Sequence, residues 1–313
     1  ILADINTVVN SYTIGGLRAL SALGAAGGGA SSGLPDRAKD LAAQADRVTH
    51  AINTLVTLTR GGGGGGGGGG EGSPAALYAD GYDVRKSEPL PHSSWHAQVF
   101  PAAFGLVPES RWQTTLDFMR KKGMVGSVYA AFWALRAAYN MDSDHGVLAL
   151  QLMTSCSENS WCHMLNVGAT TVMEAWTRKE KPNLSWSHPW ASAPASAVVW
   201  GLFGIEATSP AFETFTCKPQ PGNLTSASIT VPTLRGAIAA SFAVAPNASR
   251  FALALDLPAG TMATVCLPKL GLAGLDLLVD GAQRRGYGMR DYVCLSGVGS
   301  GSTPREIVRG VGK

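Results

Sequence analysis

Two stretches hold the residues best suited to chemistry: Gly168-Ala169-Thr170-Thr171-Val172-Met173-Glu174-Ala175-Trp176 and Trp186-Ser187-His188-Pro189-Trp190. The Gly-small-Thr-Thr start predicts a helix over Thr171–Arg178, capped by Thr170 or Thr171, with Glu174 in its first turn. Free amides and the helix dipole there favour an ionised carboxylate, the state a general base needs. Thr171-x-x-Glu174 fits a capping box equally well, and in that reading the glutamate serves only the helix. Trp161, Trp176, Trp186 and Trp190 lie close by in sequence, and such flat apolar faces suit a pyranose ring. His188 can donate to a sugar hydroxyl while its second nitrogen is held by the protein; it can also simply pack or cap where the next helix begins. His92-Ser93-Ser94-Trp95-His96 is either a third wall of the same cavity or a Ser-capped helix start with two surface histidines. Two histidines four apart, without His-Glu-x-x-His or a third ligand, argue against a metal. The Gly61–Gly70 run lacks the strand, helix and lysine of a phosphate loop. No cofactor is expected.

The elements that must position these residues change character along the 313-residue chain. Apolar residues at helical spacing predict helices over Ala3–Leu23 and Ala38–Leu58, then near Ser94–Gly105, Ser110–Lys121, Gly126–Tyr139, Ser143–Met153, Ser160–Leu165, Thr171–Arg178 and Ala191–Phe203. Gly15 and Gly16 are a weak point in the first. Short joints carrying Pro, Gly, Asn and Asp point to antiparallel helical hairpins. Gly61–Gly70, within a flexible insertion over 61–72, has no side chain to bury and maximal backbone entropy. After Lys218-Pro219-Gln220-Pro221-Gly222 the pattern turns to strands: Ser226–Val231, Gly236–Val244, Ser249–Leu257, Thr261–Leu267 and Leu275–Val279. This spacing predicts a small antiparallel sandwich. The expected division is therefore a helical domain over 1–208, a β-sandwich over 209–296 and a loose tail over 297–313 that opens on the glycine-rich Gly297–Ser302.

Composition narrows the function classes. Hydrophobic residues make up 45% and charged residues 15% of the chain, a globular balance rather than a disordered one. A net charge of +3, with Arg120-Lys121-Lys122 as the longest basic run, offers no nucleic-acid surface. Apolar runs such as Ala195–Ile205 fall short of the roughly 18 residues a membrane helix needs. Five cysteines, an odd number without Cys-x-x-Cys spacing, are expected to be buried free thiols rather than a disulfide framework. Sequons at Asn183, Asn223 and Asn247 permit secretion without requiring it. The start at Ile1, with no leader pattern, reads as the middle of a longer frame. Compartment and oligomeric state stay open.

Several blocks in order resemble the bacterial-type α-L-rhamnosidases: His92–Glu109, Gly123–Tyr129, Leu152–Leu165, Gly168–Trp176, Trp186–Pro194 and the Phe215–Pro232 lead-in to a β-domain. The resemblance implies a six-hairpin (α/α)6 toroid followed by a C-terminal β-domain. The periodicity supplies about nine helices, so the toroid is expected to be incomplete, with N-terminal hairpins missing. It also implies inverting hydrolysis of terminal α-L-rhamnosides, with rhamnose-containing glycosides or polysaccharides as partners. Glu174 matches the family's general base and His188 a histidine that contacts rhamnose; Trp95, Trp176, Trp186 and Trp190 are the expected ring contacts. The family's Asp- and Arg-rich general-acid motif has no match here, Asp36-Arg37 lying in an ordinary amphipathic helix, so this chain by itself is expected to be inactive. Asp80, Asp83 and Glu88 are the first alternatives for a second carboxylate. The competing readings are a non-catalytic carbohydrate-binding or scaffold remnant of this fold, and a six-hairpin glycosidase of other sugar specificity.

Overall fold

The structure, a computed structural model, describes residues 4–27, 34–58, 76–271, 276–301 and 305–310. The glycine run lies outside them. The chain divides into two compact units, Ile1–Met141 with Leu152–Ala191, and Asp142–Gln151 with Ser192–Lys313.

The first unit is helical: α1 (Thr7–Gly27), α2 (Leu34–Leu55), α3 (Trp95–Ala103), α4 (Trp112–Lys122), α5 (Val128–Asn140) and α7 (Trp161–Asn166), while α6 (Val147–Thr154) spans the division. Short strands β1 (Ile5–Asn6), β2 (Thr57–Leu58), β3 (Leu77–Tyr78), β4 (Gly81–Asp83) and β5 (Glu88–Pro89) stitch its edges. Helix α2 buries Ala38, Ala45 and Ile52, one residue every two turns, as the periodicity predicts. It ends at Leu55 rather than Leu58, because β-branched Val56 and Thr57 favour extended backbone and Thr57–Leu58 pairs with Leu77–Tyr78. Helix α1 buries Thr7, Ser11 and Ile14, with Val9, Leu20 and Leu23 more than half exposed, so the apolar stripe read there is not the packed face. Gly15 is no weak point: a Cβ there would overlap the Phe104 ring, so glycine allows this close approach. Behind α2, Arg111 is wholly buried, with no carboxylate partner among the described residues. Its guanidinium donates to Thr57 Oγ1 (3.0 Å) and Asn53 Oδ1 (2.7 Å) and lies 4.7 Å from the Tyr78 ring centroid.

The second unit contains α8 (Ala193–Ala197), a single π-turn over Val198–Leu202, and strands β6 (Glu206–Ala207), β7 (Thr214–Cys217), β8 (Ser226–Thr233), β9 (Gly236–Val244), β10 (Arg250–Asp256), β11 (Met262–Pro268), β12 (Asp276–Val279), β13 (Ala282–Arg285), β14 (Tyr287–Met289), β15 (Tyr292–Gly299) and β16 (Arg305–Gly310). They form a six-stranded sheet, β13-β12-β16-β10-β9-β8, and a five-stranded sheet, β14-β15-β11-β7-β6. All pairings within them are antiparallel except β7 with β11. Alternation buries Ile238, Ala240 and Phe242 of β9 against Phe251, Leu253 and Leu255 of β10. The tail expected to be loose over 297–313 instead contributes β16, seated between β10 and β12 with Ile307 and Val308 buried. Two flanking ladders outweigh the weak strand signal of this segment. A polar knot also belongs to this unit: Lys218 pairs with buried Asp142, and His145 joins the buried Tyr292 hydroxyl (3.1 Å) to exposed Asp291 (2.6 Å).

Four of the five cysteines are bridged, correcting the free-thiol expectation: Cys156 to Cys162 and Cys266 to Cys294, leaving Cys217 buried and free. Cys266 and Cys294 face each other across β11 and β15. Replacing both with alanine is expected to cost about 3–4 kcal/mol, from loop closure over 28 residues. Urea unfolding of the two forms measures it; alkylation of all five thiols in the unreduced, denatured chain would overturn the pairing.

Candidate functional site

The segment carrying Glu174 is a loop, not a helix. Residues 171–178 form bends and turns, so neither a helix dipole nor a capping box acts on Glu174, and both readings of the Thr-Thr start lose their premise. The β-branched run Thr170-Thr171-Val172 resists helix, and the backbone finds partners across the loop. Glu174 N–H donates to Ser185 O (3.0 Å) and His188 N–H to Val172 O (2.9 Å). The Trp176 amide, which a helix would need, donates to Glu180 Oε2 (3.1 Å). Val172–Glu174 and Ser185–His188 are thus the two sides of a neck, closed by a loop that returns from Trp176 to Leu184.

At this neck the Glu174 carboxylate is held by Lys181, which pairs with Oε1, and by the Ser185 amide, which donates to Oε2 (2.8 Å). The Lys181 hydrogen bond and then the Ser185 amide hold the carboxyl below the usual carboxylate range, with the charges of Lys181 and His188 acting in the same direction. Glu174 is therefore ionised at neutral pH for a reason other than the one its spacing suggested. The His188 ring lies 4.4 Å from that of Trp190, whose indole N–H donates to Glu174 O (3.1 Å) and whose face is 46% exposed. Tyr129 of α5, also exposed, stands 5.9 Å from Trp190. Tyr12 of α1 lies near it; burial and then the neighbouring Tyr129 hydroxyl push Tyr12 up to about 12. Glu174, His188, Trp190, Tyr129 and Tyr12 thus form one linked polar and aromatic strip.

The other expected ring contacts fare differently. Trp176 has no exposed surface: its N–H donates to Gly126 O (2.7 Å) and its ring meets Trp161 edge-on at 5.2 Å. Trp95 is buried, donates to Gly123 O (3.1 Å), and packs so closely on Gly126 that a Cβ there would come within 2.5 Å of the indole. These two indoles are core, a correction to their expected role, because each fills the space beside the Gly123–Gly126 turn. Trp186 is half-buried with the Arg178 guanidinium 5.3 Å over its ring. In the 92–96 cluster, Ser94 caps α3 through the Ala97 amide (3.2 Å), as the helix-start reading has it. His92 pairs with Asp80 (2.5 Å), and exposed His96 stacks on Phe100 at 6.1 Å. Burial pushes His96 down, opposed by the Asp80 charge.

Asp80 does not suit a general acid. Burial raises its carboxyl, but hydrogen bonds from His92 and Ser94 outweigh that and hold it below the ordinary range. Its pairing stabilises the fold above the usual carboxylate range and is lost as pH falls through the lower folded value. Asp83 accepts from the Arg85 and Lys86 amides of its own turn. Lys181, Ser185, Tyr12 and Tyr129 were not among the expected site residues; the only signal for any of them was the placement of Tyr12 and Tyr129 inside predicted helices.

Comparison with known proteins fits this architecture. Residues 3–198 match the bacterial alpha-L-rhamnosidase 6 hairpin glycosidase domain, and residues 204–274 the bacterial alpha-L-rhamnosidase C-terminal domain. The chain belongs to the bacterial α-L-rhamnosidase family, with a helical domain followed by a β domain. Among solved structures it is similar to the α-L-rhamnosidase from Dictyoglumus thermophilum, at 17% identity and TM-score 0.67, over 95% of this chain and 31% of that one. It is also similar to the Streptomyces avermitilis α-L-rhamnosidase complexed with L-rhamnose (17% identity, TM-score 0.59, 87% of this chain and 24% of that). A third is the GH78 family rhamnosidase of Bacillus sp. GL1 (22%, 0.59, 85% and 26%). The chain thus spans less than a third of the length of each, and the likeness speaks for the fold. No curated protein matches. Among the described residues no helix is long and apolar enough to cross a membrane.

Proposed function

We propose that this chain carries the general-base side of an inverting glycoside hydrolase acting on terminal α-L-rhamnosyl residues. The observation that carries the reading is the ionised Glu174 carboxylate beside His188, next to the exposed faces of Trp190 and Tyr129. An inverting site needs one carboxylate to activate water and a carboxylic acid on the opposite face of the sugar to protonate the leaving oxygen. In this reading Glu174 takes the proton of the attacking water. His188 hydrogen-bonds a sugar hydroxyl, and Trp190 supplies the apolar ring face. Trp186 stands as a second ring contact beside Arg178. In this reading the general acid comes from a part of the enzyme outside residues 1–313: Asp80 is held ionised, Asp83 accepts from the amides of its own turn, and Glu88 lies exposed on β5 opposite Asp83. The helical domain is then part of a six-hairpin toroid, with the two sheets as a C-terminal sandwich. Rhamnose-containing glycosides are the substrate class.

The anomer released tests the mechanism. Hydrolysis of an aryl α-L-rhamnoside by the full-length enzyme, followed by proton NMR within the mutarotation time, is expected to show β-L-rhamnose first. Initial release of the α anomer would require a covalent intermediate and would remove the base role from Glu174.

A further inference from the structure

The 174–188 loop has an internal strut that the hydrolytic reading does not use. Lys181, on the loop, folds back seven residues to the carboxylate at the neck. Its side chain is 41% exposed, whereas that of Glu174 is 15% exposed, so the ammonium covers one side of a sheltered carboxylate. The Ser185 amide holds the other oxygen (2.8 Å). The remaining charges nearby have other partners: Glu180 accepts from the Trp176 amide and Lys179 pairs with Glu158 at 2.7 Å. Among the described residues, His188, across the neck, is the other titratable group whose charge reaches Glu174, and Tyr129 of α5 stands against Trp190 beside it.

We propose that Lys181 is a positioning residue for Glu174, fixing the carboxylate against the neck and keeping it ionised while a water approaches. The inference rests on Glu174 being the base. Each carboxylate oxygen has two acceptor positions, so the bonds to Lys181 and Ser185 still leave room for a water O–H. The same ammonium makes proton uptake costlier, because protonating Glu174 strips Lys181 of its counter-charge. Lys181 therefore exchanges base strength for a population of ionised base that persists into mildly acidic conditions.

Two measurements on the same variants separate this proposal from the reading beneath it. Carboxyl-carbon NMR follows the Glu174 titration in the 313-residue chain, and the acid limb of kcat/KM follows the free enzyme's base in the full-length protein. For Lys181→Met, both the Glu174 midpoint and the acid limb are expected to move to higher pH. Lys181→Arg should restore both, and Lys181→Gln, which keeps a hydrogen bond without the charge, should fall between. An unmoved Glu174 midpoint in folded Lys181→Met or Lys181→Gln would overturn the proposal. A midpoint that moves while the acid limb stays would show that Lys181 governs Glu174 but that Glu174 is not the base. That outcome sinks the underlying reading and the catalytic role of Lys181 with it.

Discussion

Alanine at Glu174 is expected to lower turnover of an aryl α-L-rhamnoside by the full-length enzyme by about 10²–10⁴-fold, the usual contribution of a positioned acid or base. Stability should change little. The substitution leaves Lys181 without its partner, but that ammonium is already partly in water and re-solvates. The Ser185 amide loses one acceptor at an exposed position. The two effects together separate a base from a structural glutamate, whose removal would do the opposite. Added azide should return part of the lost rate with an activated leaving group, since a small anion can attack where water no longer is activated. Rates within a few-fold of wild type in a folded Glu174→Ala protein would reduce Glu174 to a loop clamp.

Trp176→Ala is expected to be the most damaging single change to stability in the helical unit, at about 3–5 kcal/mol, the range for truncating a fully buried large aromatic side chain. The indole has no exposed surface, Trp161 would lose its edge contact, and the Gly126 carbonyl would lose its donor. Trp176→Phe should recover much of the packing but not the hydrogen bond, leaving a deficit of about 1–3 kcal/mol. Trp190→Ala, by contrast, removes a half-exposed ring and should shift stability by less than about 1 kcal/mol while weakening rhamnose binding. Urea unfolding of the three variants, with unchanged m-values, tests the ordering. If Trp176→Ala unfolded like the wild type yet lost sugar affinity, the indole would be a substrate contact after all.

The helices at 95–103, 112–122 and 128–140 lie where periodicity and local caps put them. Ser94 is a case in point: its hydroxyl bonds an amide three residues away, so the whole interaction fits within one turn of sequence. Strands 226–233, 236–244 and 250–256 were legible in the same way, since alternation and turn residues between them are local signals. The ordered rhamnosidase-like blocks added the family, which no single motif could carry.

The site itself was legible only in its residue types. Thr171-x-x-Glu174 reads as a helix start at any distance short of the fold. The amides of Glu174 and His188 nevertheless bond carbonyls at Ser185 and Val172, eleven and sixteen residues away along the chain. Trp176 and Trp190 are the same residue type at the ends of two neighbouring stretches, and the Gly126 turn beside Trp176 makes it core while Trp190 stays at the surface. The Cys266–Cys294 bridge and strand β16 follow the same rule: each exists because strands far apart in sequence lie side by side. What periodicity and capping determine are interactions spanning a few residues. Partners for a carboxylate, cover for an indole and ladders for a C-terminal strand come from remote segments, whose arrival depends on the energy of the packed whole.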